Sequence, residues 1–154
     1  MKNIEIIVSI IALVVSGVSF AWSFWVHRTA LIRERQQATL DAFNTLQIQV
    51  LDELIKFKKT EITEIAKHSQ SEEYLKLSTL LARCEHFAVG VNAEIYDMKT
   101  VSRLAGEHIV RIYKNFLPLI EAKRRYQNNQ MRYHEFEKLA NNLGYKEKPE
   151  VGNG

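Results

Sequence analysis

Residues Ile6 to Val26 read IIVSIIALVVSGVSFAWSFWV, 21 positions without one charged side chain. At about 1.5 Å per helical residue this run is about 31 Å long, which matches a hydrocarbon core of about 30 Å. Beyond it the pattern becomes amphipathic. Leu40, Phe43, Val50, Leu54 and Phe57 recur at helical spacing with Leu46, Leu51 and Ile55 beside them, which predicts one long helix from Arg28 to about Lys67. His68-Ser69-Gln70-Ser71 is a break, and Ser69 with Glu72 has capping-box spacing. The next predicted helix, Glu72 to about Asn92, turns Leu77, Leu80, Leu81, Cys84, Phe87, Ala88 and Val91 to one face.

Asp97 is the expected N-cap of a third helix, Met98 to about Arg125, with Tyr96 and Val101 placed for a hydrophobic staple. Its apolar stripe is Val101, Leu104, Ile109, Ile112, Phe116, Leu119 and Ile120, and Pro118 is expected to kink it or end its first part. A last helix, Arg132 to Leu143, places Phe136, Leu139, Ala140 and Leu143 inward, with Gly144 as its stop. The predicted fold class is all-α: one N-terminal transmembrane helix, then a small bundle of about four helices. The expected organisation is an anchor over 1–27, a helical domain over 28–143 and a flexible polar tail over 144–154.

Trp22 and Trp25 fall where indole rings favour the headgroup layer, and His27, Arg28, Arg33 and Arg35 follow. The other flank offers only Lys2, offset by Glu5, and the terminal amine. The positive-inside rule therefore puts the N-terminus outside and the C-terminus in the cytoplasm. A cleaved signal peptide is the competing reading, since Ser19-Phe20-Ala21 suits cleavage after Ala21. The apolar run through Trp22–Val26 and the weakly positive start oppose it. A buried core helix is a further reading, but the run has no polar face to set against solvent.

Ser9, Ala12, Ser16, Ser19 and Ser23 recur at 3-4-3-4 spacing, so they share one face of the span, and Gly17 with Ala21 forms a second small pair. Small side chains admit a second backbone, which makes a homodimer an expected partner state; chance occurrence of Ser and Ala is the plain alternative. Arg33 and Gln37 interrupt the same seam further on, so a single coiled coil over the whole length is not expected.

Composition changes this picture little: 46% hydrophobic and 25% charged residues are ordinary. Six Gly and two Pro in 154 residues favour long helices. The net charge of +3 conceals an asymmetry, with ten acidic and six basic residues over 41–97 but eight basic and two acidic over 98–134. The plain reading is an acidic helical pair packed beside a basic helix; the functional one is a face for an anionic partner. Lys123, Arg124, Arg125 and Arg132, with Tyr126 and Tyr133 nearby, form the candidate surface for an anionic partner, whether nucleic acid or anionic lipid; they can equally bind carboxylates elsewhere in the bundle, and a solvated face is the plain reading.

Candidate chemistry is thin. No Gly-rich phosphate loop or paired zinc histidines occur. Cys84, the only cysteine, excludes an intramolecular disulfide. Cys84-Glu85-His86 with Glu107-His108 is the nearest metal-like cluster, but Cys84 and His86 sit on different helix faces. Cys84 as a nucleophile competes with Cys84 as a small buried hydrophobe, and Asp97 as a catalytic carboxylate competes with Asp97 as a cap. Gly90 and Gly106 are candidates for a helix crossing. No catalytic, cofactor or metal residue is assigned, and no enzyme is expected.

Several short patterns occur in order: Arg35-Gln-Gln-Ala-Thr-Leu-Asp-Ala-Phe, His86-Phe-Ala-Val-Gly-Val-Asn, Ile95-Tyr-Asp-Met, Leu104-Ala-Gly, Pro118-Leu-Ile-Glu-Ala-Lys-Arg-Arg and His134-Glu-Phe-Glu-Lys-Leu-Ala. In them the chain resembles a family of bacterial and phage-encoded membrane proteins catalogued as a domain of unknown function. The resemblance implies an N-terminal anchor with a cytoplasmic helical domain and carries no catalytic residue. The expected function is a non-enzymatic interaction module at the cytoplasmic face, with the bilayer and a membrane or membrane-proximal protein as partners. Phage exclusion or defence is the first alternative, by association only, and an enzyme with scattered site residues the second.

Overall fold

The computed structural model describes residues 2–145, with side chains from residue 6 onward apart from that of Ser9. Every regular element among them is helical: α1 (Lys2–Leu46), a π-helical turn (Gln47–Leu51), α2 (Asp52–Leu54), α3 (Lys59–Ile65), α4 (Glu72–Asn92), α5 (Met98–Gln127) and α6 (His134–Asn142). The all-α expectation is met, with one long apolar N-terminal helix and a helical bundle. The chain divides into two compact units, Met1–Gln37 and Ala38–Gly154.

The first unit is helical and includes a segment long and apolar enough to cross a membrane, none of it buried within the protein. In the second unit α6 packs mainly on α4, and α3 packs on α5. Leu77, Leu81 and Tyr74 of α4, Ile109, Ile112, Tyr113, Phe116, Leu119 and Ile120 of α5, and Phe136 and Leu139 of α6 are buried, with Leu54 and Ile62 from the preceding helices. Each such side chain contributes about 1.5–3 kcal/mol on leaving water. The whole predicted core face of α4 is buried, Cys84 included.

The long helix predicted to run to Lys67 does not. It passes into a π turn at Gln47–Leu51, stops at Leu54 and resumes at Lys59. A π turn takes up an extra residue and rotates the following face. Here it buries the consecutive pair Val50 and Leu51 and leaves Ile55 exposed; Leu40, upstream of the turn, is exposed as well. No Gly or Pro marks the break. The backbone N–H of Lys58 donates to the Glu61 carboxylate at 2.9 Å, half of a capping box that starts α3. The turn before α4 is capped by Ser71, whose hydroxyl accepts from Tyr74 N–H at 3.1 Å, and not by Ser69.

Asp97 caps α5 as expected: its Oδ2 accepts from Thr100 N–H at 2.8 Å and Thr100 Oγ1 at 2.7 Å. The Asp97 amide donates to the buried Thr39 hydroxyl at 2.7 Å, which ties this corner to α1. Pro118 lies inside α5 without ending it; the residue with non-helical angles is Ala105. That irregularity moves Ala105 and Gly106 inward and leaves the predicted core residue Leu104 exposed. The helix after it begins at His134 rather than Arg132, because Tyr133 adopts a left-handed conformation and ends the preceding turn.

Gly144, at φ 107°, terminates α6 as predicted. Gly144 N–H donates to Asn141 C=O at 3.0 Å and Tyr145 N–H to Ala140 C=O at 2.9 Å, the paired bonds of a Schellman stop. Tyr145, assigned to the tail from sequence, packs edge-on against Tyr113 with ring centroids 5.1 Å apart. The rest of the predicted tail, 146–154, lies outside the described residues.

Candidate functional site

Two regions carry surface chemistry that the core does not account for. The first is the apolar helix of the first unit. Leu13 and Phe20 are 75% and 76% exposed, and Trp22 is 65% exposed. Exposed apolar patches of this extent mark protein–protein or membrane interaction surfaces. Trp22 and Trp25 stand together, with ring centroids 5.6 Å apart and planes tilted by 41°, and Arg28 follows one turn later. Ala12, Ser16, Ser19 and Ser23 are all exposed on this helix; the side chain of Ser9, the first member of the stripe, lies outside the described residues.

The second region is where α4, α5 and α6 meet. Tyr133 combines φ 60° with near-complete burial, a costly conformation for a bulky residue. Its hydroxyl donates to Ser78 C=O at 3.2 Å, which holds it against α4. Tyr133 supplies no side-chain cap for α6. Glu85 of α4 does so instead, its carboxylate accepting from Glu135 N–H at 3.2 Å and Phe136 N–H at 2.7 Å. Asn92 adds a second clasp, its Nδ2 donating to the carbonyl and the carboxylate of Glu135 at 2.9 and 2.8 Å.

The basic run predicted as an anion surface is divided by this packing. Arg124 faces inward: its Nε donates to Arg132 C=O at 2.9 Å, and its Nη2 pairs with Glu137 at 2.6 Å, with the side chain only 14% exposed. Arg125 is exposed. Lys123 lies half-buried with its Nζ 5.0 Å from the Tyr74 ring centroid, and the Arg132 guanidinium lies 5.6 Å from that of Tyr133. Burial, with the nearby Arg132 charge, lowers the Lys123 ammonium below its ordinary pKa. Burial raises the Tyr74 and Tyr133 hydroxyls. Tyr74 was not singled out in the sequence and Glu85 only as part of a metal-like cluster, because their partners lie about 50 positions away along the chain.

The metal-like cluster separates. Cys84 is buried, Glu85 caps α6, and His86 borders an open groove of about 480 Å³ between the end of α1 and α4, where Arg83 donates to Gln49 at 2.9 Å. His108 faces a smaller recess beside the π turn. Among the described residues no three His, Cys, Asp or Glu side chains could hold one metal ion. Gly90 does not mark a helix crossing: the atoms against it belong to the Tyr96 ring, which also stacks on Phe87 at 5.5 Å.

Burial pushes the Cys84 thiol up to about 12 from an ordinary 9.0, so it stays a protonated core group at neutral pH. Iodoacetamide should label it only after denaturation; stoichiometric labelling of the native protein at pH 8 would put the thiol at the surface. The same shift links to stability. Above pH 9 the unfolded chain loses this proton while the folded chain retains it, so stability should fall as pH rises from about 9 toward 12. The raised tyrosines act in the same direction and the lowered Lys123 opposes them. Urea midpoints measured at pH 8 and pH 10.5 would read the slope.

A family model described as a domain of unknown function, DUF4760, matches residues 5–143. No curated protein matches, and no solved structure matches.

Proposed function

The chain is a member of the DUF4760 family, and on that premise we propose that it is a single-pass, membrane-tethered interaction module without catalytic activity. Its helical domain stands on the cytoplasmic face of a bacterial inner membrane. One observation supports the tether: an apolar 18-residue window with no part buried in the protein. A core helix of the same composition would be covered by its own domain. Lipid covers this one, with Trp22 and Trp25 in the headgroup layer and Arg28 on the cytoplasmic side.

Tethering confines the domain to two dimensions and raises its effective concentration toward membrane-proximal proteins, which gains affinity without new contacts. Ala12, Ser16, Ser19 and Ser23, with Ser9, offer a face for a second copy in the bilayer, where close backbone approach and hydroxyl bonding drive association. The burial of Cys84 and the capping duties of Glu85 and Asp97 leave these residues to structure rather than catalysis.

Cell fractionation with alkaline carbonate extraction tests the tether. The full-length protein should stay in the pellet, and its intact mass should retain Met1–Ala21. Recovery of the intact chain in the soluble fraction, or a mature protein starting at Trp22, rejects it.

A further inference from the structure

We propose that Lys123, Arg132 and the hydroxyls of Tyr74 and Ser78 form a binding site for a phosphoryl group, carried by a soluble phosphate ester or an anionic lipid headgroup. The argument begins with the two hydroxyls. Tyr74 Oη and Ser78 Oγ are both buried without a hydrogen-bond partner among the described residues, in side chains 1% and 8% exposed. Native proteins rarely leave such groups unpaired, and each one needs an explanation. These two are one helical turn apart on α4, so they share a face.

The two cations stand on the same stretch. Lys123 lies over the ring of Tyr74, and Arg132 lies over the ring of Tyr133, whose hydroxyl is bonded to the Ser78 carbonyl. Neither cation has a carboxylate within ion-pair distance among the described residues, although neighbouring Arg124 has one. Arg124 acts as a positioning residue, gripping the Arg132 carbonyl and so fixing where that guanidinium starts. A Schellman stop with left-handed Asn128 and the Asn129 side chain accepting from Met131 N–H shape the loop that delivers Arg132.

The Arg132 charge is felt at Lys123, and an anion between the two cations removes that repulsion. Burial, and after it the Arg132 charge, depress Lys123, and an anion bound beside it would act in the opposite direction. The donors outnumber what a planar carboxylate accepts and suit the tetrahedral oxygens of a phosphoryl group, with the arginine fork supplying two of the bonds. Access is through Lys123, a flexible side chain that covers Tyr74 and is itself half-exposed to solvent. A groove of about 360 Å³ lies beside Arg132 and Tyr133, with Glu85, Asn129 and Met131 also in its lining.

The test uses the full chain in neutral detergent micelles, with unfolding midpoints measured in sodium phosphate against sodium chloride of equal ionic strength. A second arm uses phosphatidylcholine nanodiscs with and without phosphatidic acid. Wild type should gain about 3 °C or more in at least one arm, as ligand-linked stabilisation requires. A gain with phosphate identifies a soluble source, and a gain with phosphatidic acid alone identifies a headgroup. Lys123→Ala with Arg132→Ala should abolish the gain.

Tyr74→Phe is the discriminating variant. Its ligand-free midpoint should equal or exceed that of wild type, because the lost hydroxyl had no partner, while its ligand-induced gain should fall by at least half. This variant decides the matter if the double substitution does not fold. No gain in either arm for wild type, or a full gain in Tyr74→Phe, overturns the proposal. Neither result bears on the tether, which rests on the first unit.

Discussion

Replacing Glu85 with alanine is expected to cost about 2–3 kcal/mol of stability, a large effect for one half-buried surface-facing residue. The reason is that α6 has no cap of its own: Tyr133 stands at its N-cap position with a left-handed backbone and no side-chain bond to the first turn. Glu85 reaches across from α4 and takes two of the free amides, at 3.2 and 2.7 Å. Its negative charge also sits at the positive end of the α6 dipole. Alanine would strand both amides in a partly buried place. Glu85→Gln keeps one acceptor and should lose about half as much. Chemical denaturation of the full chain in detergent measures the cost, and faster hydrogen exchange over 134–142 would localise it. A change under about 0.5 kcal/mol, typical of a plain surface site, would mean that α6 does not depend on this contact.

Gly90→Ala should be the second severe substitution, at about 2 kcal/mol net of the helix propensity gained. A Cβ there would lie 2.4 and 2.6 Å from two ring atoms of Tyr96. The ring cannot step aside cheaply. Its own backbone N–H is bonded to the Gly90 carbonyl at 3.0 Å, and its other face is stacked on Phe87. Gly106→Ala is the control. Its added methyl would meet only Ser102 Oγ at 3.6 Å and Leu143 Cδ2 at 3.8 Å, ordinary contact distances. That variant should be neutral or up to about 1 kcal/mol more stable. Equal unfolding midpoints for the two alanine variants would discredit the Tyr96 contact. Combining Gly90→Ala with Tyr96→Ala should recover most of the excess cost, because the two sites are coupled through the ring.

Both predictions depend on residues whose roles differ from those their local sequence suggests. Gly90 reads as a place for another helix to cross until Tyr96, six positions later, folds back over it. Glu85 reads as one member of a metal-like cluster until α6, fifty positions on, presents its N-terminus. The basic run shows the converse: four cations adjacent in sequence or nearly so are sorted by packing into one internal strut, Arg124, one exposed residue, Arg125, and a pair, Lys123 and Arg132, set against tyrosines.

From sequence alone, the all-α class, the apolar N-terminal helix, the core face of α4, the Asp97 cap and the Gly144 stop were all determined. Each depends on interactions within a few residues, namely helical periodicity, a side chain reaching its own first turn, or a backbone angle that glycine tolerates. Tertiary structure alone decided the π turn at Gln47–Leu51, the irregularity at Ala105, the left-handed Tyr133 and the pairing of Glu85 with α6. Those features set the phase of one helix face against another, and that phase is chosen by which side chains fill the shared core. A sequence pattern specifies which face of a helix is apolar, but the partner face that it must fit comes from residues far along the chain.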